Sequence, residues 1–394
     1  MQRGIRKIDY LVVGAGAAGC TFGFLMKKAG ADVLLLEMQN AEQRDKLCAG
    51  ILENRAELAF QDIFGETVDE AGLAPVLVEN ICLWNGGYEW RRPMPGRRPE
   101  TTGAAGSQPE PKQNKGLASS LGTYLKNGGK VLAKKVIQEA PGYNLGKGFT
   151  FQALPRKRFD DYIRDRYLVE GGQILNHTKV CSINENEKLA ACIDLHTKEQ
   201  FTVQYKFIIG ADGAMSYVRR LLNGKHQKTV CVFETGVPLI RSDTVVGFIP
   251  GAQGYCWYVP RGKDAAFGCG FHNLGGREYE ICRERLAGFA EYVGIEMPAR
   301  LRGAYILAEG NVLLQPGKNA FLLGDAAGLT DAFTGGGIHY ALLSAQALAA
   351  YFAGGPSYED AMRTHVDLVR RSAKNFKQYN LAACSVISGF GKKL

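Results

Sequence analysis

Gly14-Ala-Gly16-Ala-Ala-Gly19 follows directly on Ile8-Asp-Tyr-Leu-Val-Val13, an apolar, β-branched run that reads as a buried strand. Gly14 makes the tight turn out of the strand. Gly16 leaves space for a pyrophosphate at the N-terminus of a helix running from Ala17 to about Ala29, and Gly19 lets that helix pack closely on the strand. Asp32 to Leu36 reads as the second strand. Glu37 ends it, eighteen positions after Gly19, where a carboxylate can accept hydrogen bonds from an adenosine ribose. Strand, glycines, helix, strand and acid in register predict a parallel dinucleotide-binding unit.

A second glycine cluster lies far along the chain. Asn319-Ala-Phe-Leu-Leu323 reads as a short buried strand that delivers Gly324 and Asp325 to a pocket edge. The triple glycine Gly335 to Gly337 then opens a helix from Ile338 to Phe352 with apolar residues at helical spacing. Such glycines let a planar ring approach the backbone, and the free N–H groups of the new helix suit an electron-rich oxygen. A flavin has both features. Between these two elements, Lys206-Phe-Ile-Ile-Gly210-Ala-Asp212-Gly213 repeats the theme of strand, sharp Asp-Gly turn and helix.

With 394 residues the chain exceeds the roughly 250 to 300 that one core usually serves, so two interleaved domains are expected. The apolar run Leu11 to Met26 is too short and too rich in glycine for a membrane span, and Ile338 to Ala353 carries His, Ser and Gln; the expectation is a cytoplasmic protein. Ten cysteines without any C-x-x-C argue against an iron–sulfur cluster or zinc ribbon, so no metal site is expected. Charge is concentrated. Residues 91–148 hold eleven Lys or Arg against three Glu, a net +8 of the chain's +9. That segment reads as a basic, partly flexible insertion. It either contacts an anionic membrane surface, a phosphorylated substrate or an acidic electron-donor protein, or is simply solvated. No nucleic-acid recognition motif accompanies the charge, so nucleic acid is not an expected partner.

The three nucleotide-site elements, in this order, resemble the flavoprotein superfamily with the para-hydroxybenzoate hydroxylase fold. Lys46-Leu-Cys48-Ala49-Gly50, Arg156-Lys-Arg-Phe159-Asp160, Tyr255-Cys-Trp257-Tyr-Val-Pro260 with its trailing Gly268-Cys-Gly270, and Gly324 to Leu342 are similar to motifs of its geranylgeranyl reductase family. Val259 stands where that family's element has Phe. The resemblance implies an α/β (α+β overall) fold, a Rossmann-type FAD-binding domain interleaved with an antiparallel-sheet substrate domain. Residues 1–75, 149–225 and 300–355 would form the first, 76–90 and 226–299 the second, and 356–394 a helical tail. The second domain's strands are expected at Val76 to Trp84, Thr229 to Val237, Thr244 to Ile249, Tyr255 to Val259 and Ala265 to Phe271.

The resemblance also implies roles. Gly14, Gly16, Ala17 and Gly19 would hold the FAD pyrophosphate and Glu37 the ribose. Val180 would meet the adenine, and Arg156, Asp212, Gly213, Gly324 and Asp325 would lie near the pyrophosphate and ribityl chain. Gly336, Gly337 and Ile338 would border the isoalloxazine together with Cys48, Ala49 and Gly50. Tyr255 and Trp257 would line a hydrophobic, lipid-like substrate pocket. The implied chemistry is hydride transfer from reduced FAD to a prenyl C=C bond, with NAD(P)H, ferredoxin or a quinol as electron donor. Cys48 is the matched residue with a transferable proton, and it reads either as the acid or as a small side chain that fits against the ring; Tyr255 is a second candidate acid. The superfamily motifs alone also allow an aromatic monooxygenase, and the basic segment a non-catalytic flavin-bearing protein at a membrane surface.

Overall fold

The computed structural model describes residues 5–94 and 151–394. The expectations for the basic insertion therefore lie, from residue 95 on, outside the described residues. Arg6–Val13 sits inside a seven-stranded sheet, paired in parallel with Val33–Leu36 on one side and Gln200–Gly210 on the other. Gln173–Leu175 extends the sheet beyond Val33–Leu36. All four residues of Val33–Leu36 are buried, as expected of a parallel strand covered on both faces. The eleven-residue strand Gln200–Gly210 changes its outer neighbour along its length: its first half pairs antiparallel with Leu189–Asp194, and its last three residues pair in parallel with Ala320–Leu322. That switch brings the Asp-Gly turn and the Gly-Asp turn to the same sheet edge as the fingerprint.

The fingerprint glycines are sterically enforced. A Cβ on Gly19 would lie 2.0 Å from the Gly14 carbonyl oxygen, so helix Ala17–Lys28 could not pack so close to the strand with any larger residue. Helix Ile338–Phe352 lies beside it, beginning at Gly337 with no side-chain cap.

The second sheet has eight strands in the order Arg302–Leu307, Thr229–Pro238, Asp264–Phe271, Gly254–Pro260, Thr244–Gly247, Asn80–Trp84, Tyr88–Pro93 and Lys392–Lys393. Every pairing is antiparallel except that between Thr244–Gly247 and Asn80–Trp84. Helix Glu278–Val293 covers one face through Phe289 and Leu286. Two sequence expectations change here. The strand expected from Val76 to Trp84 is broken: Val76–Leu77 belongs to a three-stranded sheet with Phe151–Ala153 and Ile51–Glu53. The break falls where the Val78 N–H donates to the Phe151 carbonyl while the Glu79 carbonyl accepts from Met94, so the two ladders part between adjacent residues. Arg302–Leu307, grouped by sequence with the cofactor half, is an edge strand of the antiparallel sheet.

Helix Tyr358–Phe390, capped by the Ser357 hydroxyl on the Asp360 N–H, precedes the edge strand Lys392–Lys393. The Gly254 N–H donates to Asn380 Oδ1, and the Asn85 amide donates to the Ser388 hydroxyl, so the helix is tied to the large sheet at two points.

Candidate active site

A cavity of about 330 Å³ lies between the glycine-rich edge of the parallel sheet and one face of the antiparallel sheet. Its two ends differ chemically. At the cofactor end stand Gly16, Arg44, Lys46, Arg156, Asp325 and Gly337; at the other, Val230, Val232, Val246, Phe248, Trp257 and Ile306 form an apolar wall.

The charged end is a network. The guanidinium of buried Arg156 donates to Asp160 Oδ1 at 2.7 Å, and Arg44 donates to the other oxygen at 3.1 Å. Burial opposes ionisation of Asp160, but Arg156 and Arg44 outweigh it and hold the carboxyl below its ordinary range. Lys46 Nζ donates to Asp325 Oδ2 at 2.9 Å and the Thr330 hydroxyl donates to Oδ1 at 2.7 Å. Asp325 is likewise pushed up by burial and pulled down further by Lys46 and Thr330, so it too lies below the usual carboxylate range. Glu37 accepts the Ala15 N–H at 2.9 Å and the Gln39 N–H at 3.0 Å, which ties the end of the second strand to the fingerprint turn.

These residues fit the diphosphate of a dinucleotide. The helix starting at Ala17 has Gly16 as its N-cap and no side-chain cap, so its first N–H groups are available to a ligand. A Cβ at Gly16 would meet the Arg44 guanidinium at 3.0 Å, which puts that cation over the helix start. Arg156 Nε is buried with no hydrogen-bond partner. A buried orphaned donor beside an uncapped helix start and a second guanidinium suits a doubly charged anion.

Of the residues singled out from sequence, Gly16, Ala17, Cys48, Ala49, Arg156, Gly213, Tyr255, Trp257, Asp325 and Gly336 to Ile338 line this cavity. Gly14, Gly19, Gly50, Val180 and Gly324 do not line it. Neither does Glu37, which is bonded as described. The Asp212 carboxylate accepts the Ser216 hydroxyl and the Tyr217 and Val218 N–H groups, at the start of helix Tyr217–Asn223. Its pKa is raised, because burial outweighs those hydrogen bonds. The Cys48 sulfur accepts the Gly50 N–H at 3.4 Å. Tyr255 donates to the Thr334 carbonyl at 2.7 Å, linking the sheet to the triple-glycine loop.

Several residues in or behind the cavity wall escaped sequence reasoning. Arg44 and Lys46 sit in a loop with no motif beyond the Cys48 neighbourhood. Fully buried Arg219 donates to the Ala326 and Asn311 carbonyls and braces the Gly-Asp turn. His339 is buried with Nδ1 paired to Glu53 and Nε2 without a partner. Burial works against the Glu53 carboxylate, yet His339 and Arg55 hold it below its ordinary range. Phe376 of the C-terminal helix completes the apolar wall. Among the described residues no cluster of metal ligands exists, and no helix is long and apolar enough to cross a membrane.

The FAD binding domain family matches residues 7–248 of this chain. A digeranylgeranylglycerophospholipid reductase of Methanosphaera stadtmanae is 25% identical over 400 residues, spanning 95% of this chain and 86% of that protein. Among solved structures, a geranylgeranyl bacteriochlorophyll reductase-like protein from Thermoplasma acidophilum has a TM-score of 0.68 at 18% identity, covering 98% of this chain and 91% of the other. A probable FAD-dependent monooxygenase from Pseudomonas aeruginosa has a TM-score of 0.63 at 16% identity, covering 98% of both chains. The two structures share the fold.

Proposed function

Because this chain belongs to the FAD binding domain family and is an FAD-dependent oxidoreductase, we propose that it reduces carbon–carbon double bonds of a prenyl or isoprenoid-lipid substrate. One observation carries the reading. A single cavity joins a charged, glycine-lined end to an apolar wall of Val230, Val232, Val246, Phe248, Trp257 and Ile306, which suits a chain without polar groups. The similarity to a digeranylgeranylglycerophospholipid reductase supports it.

Gly16, Ala17, Arg44 and Arg156 would hold the FAD diphosphate, Glu37 and Val180 the adenosine end, and Lys46 and Asp325 the ribityl region. Gly337 and Ile338 would offer the helix start to the flavin's pyrimidine edge. FAD, when bound and reduced, supplies a hydride. The chain's own residues orient the alkene along the apolar wall, and Phe248, Trp257 and Phe376 keep water from it. A nicotinamide dinucleotide, a ferredoxin or a quinol re-reduces the cofactor, and the basic segment 91–148 brings the protein to an anionic lipid surface or an acidic donor.

Anaerobic mixing of the reduced holoprotein with geranylgeranyl diphosphate and with a digeranylgeranylglycerol phospholipid tests this. Reoxidation of the flavin without oxygen, with a product gaining two hydrogens per double bond, is expected. Product formation only with oxygen would assign a monooxygenase, and tight lipid binding without turnover a binding protein.

A further inference from the structure

Three residues lie side by side on neighbouring strands of the large sheet, Glu234 opposite Gly268 and Gly268 opposite Trp257. The middle position has no side chain. A Cβ there would stand 2.7 Å from Trp257 Cζ2, so the indole lies across the glycine and reaches the third strand. Its Nε1–H donates to Glu234 Oε2 at 2.9 Å. Glu234 is 3% exposed, yet it lines the main cavity.

It also lines a second cavity, of about 320 Å³, on the far side of the Cys48 loop. That chamber is polar, walled by Asp45, Lys46, Lys157, Arg261, Asp264 and Arg302. Its rim is wet, since the side chains of Arg302 and Asp45 are 58% and 50% exposed. Glu234 thus lines both the cavity that carries the apolar wall and a second, charged one whose rim reaches the surface.

We propose that Glu234 is the proton donor to the substrate alkene and that the second cavity is the route by which it regains its proton. This rests on the prenyl-reductase reading above. Two C–H bonds replace the π bond: a hydride with its electron pair arrives from reduced flavin at one carbon, and the Glu234 proton goes to the other. The flavin is left oxidised and Glu234 a carboxylate. Water in the second cavity returns the proton, and a two-electron reductant, such as a nicotinamide dinucleotide, restores the flavin.

The surroundings suit the role. Burial pushes the Glu234 carboxyl up, and the Trp257 hydrogen bond with Arg261, Cys48 N–H and Arg302 pulls it back only partly. The acid form therefore persists to higher pH than in an ordinary carboxyl, the direction a proton donor needs. One earlier candidate is turned away. The Tyr255 hydroxyl already donates to the Thr334 carbonyl.

Full-length holoprotein carrying Glu234→Gln or Glu234→Asp would be photoreduced, then mixed anaerobically with geranylgeranyl diphosphate across a pH series. Glu234→Gln should slow reoxidation by roughly a hundredfold or more and remove the limb on which the rate falls as pH rises. Glu234→Asp should recover part of the rate, and FAD affinity should be unchanged in both. Infrared difference spectra of cofactor-free protein give a second readout: a protonated carboxylic acid band that persists above the ordinary carboxyl range and is absent in Glu234→Gln. A Glu234→Gln rate within about threefold of the parent overturns the donor role alone, as does the absence of that band. A parent protein that reduces no isoprenoid overturns the functional reading, and the donor role with it.

Discussion

Alanine at position 268 would strain the antiparallel sheet at the spot where its register matters most. The new Cβ would lie 2.4 Å from the Phe233 carbonyl oxygen and 2.7 Å from Trp257 Cζ2. An ordinary C···O approach is about 3.3 Å, so the strands must part locally by roughly 0.9 Å or tilt, and the indole must swing off the sheet. Overpacking of this kind costs about 1–3 kcal/mol. Loss of the Trp257 hydrogen bond to Glu234 adds about 0.5–1.5 kcal/mol. Gly268→Ala should therefore destabilise by roughly 1.5–4.5 kcal/mol. Gly288→Ala is the matched control. It lies exposed within helix Glu278–Val293, and its Cβ would meet nothing within 4 Å, so alanine should stabilise by about 0.5–1 kcal/mol. Thermal melts of the cofactor-free proteins, followed by circular dichroism and by tryptophan emission, read both. If Gly268→Ala melts within about 0.5 kcal/mol of the parent with unchanged emission, the claim that this glycine exists to seat Trp257 is wrong.

Removing the Arg44 guanidinium by Arg44→Ala should weaken FAD binding by about 1.5–3 kcal/mol, roughly ten- to a hundredfold in Kd, read by titration of the cofactor-free protein. Arg156→Ala leaves Asp160 buried with Arg44 alone and should cost about 3 kcal/mol in folding, measured by thermal melting. Acid should also destabilise the fold. Asp160, Asp325 and Glu53 titrate below their unfolded values, so the stability they confer is complete above about pH 4–5 and is lost as pH falls through their folded values. Asp212 and Glu234 have the opposite sign: they favour the fold in acid, and that share fades as pH rises through their raised values. Melting temperature measured against pH should fall steeply at the acid end, and less so in Asp160→Asn.

The parts of this site legible in the sequence are those in which neighbours along the chain do the work. The fingerprint, the Asp-Gly turn and the triple glycine are each a strand end followed by a helix start, and their residues meet because they are adjacent. What a carboxylate does there is another matter: Asp212 bonds to the start of the helix that follows it, through Ser216 four residues on. Juxtapositions across strands were not legible. The row Glu234, Gly268 and Trp257 depends on the register of three strands, which nothing local to any of them reveals. Arg44 over Gly16 depends on a loop that carries no pattern. Helix Tyr358–Phe390 was readable as a helix, but its reach to the cavity through Phe376 and its bond to Gly254 through Asn380 depend on packing between distant segments.

The central claim is that this cavity delivers hydrogen to a carbon–carbon double bond, and product mass after one anaerobic turnover tests it most directly. Reduced holoprotein mixed with geranylgeranyl diphosphate should yield a lipid heavier by two hydrogens per turnover. An unchanged lipid beside oxidised flavin, or a product that gains oxygen once air is admitted, would contradict it.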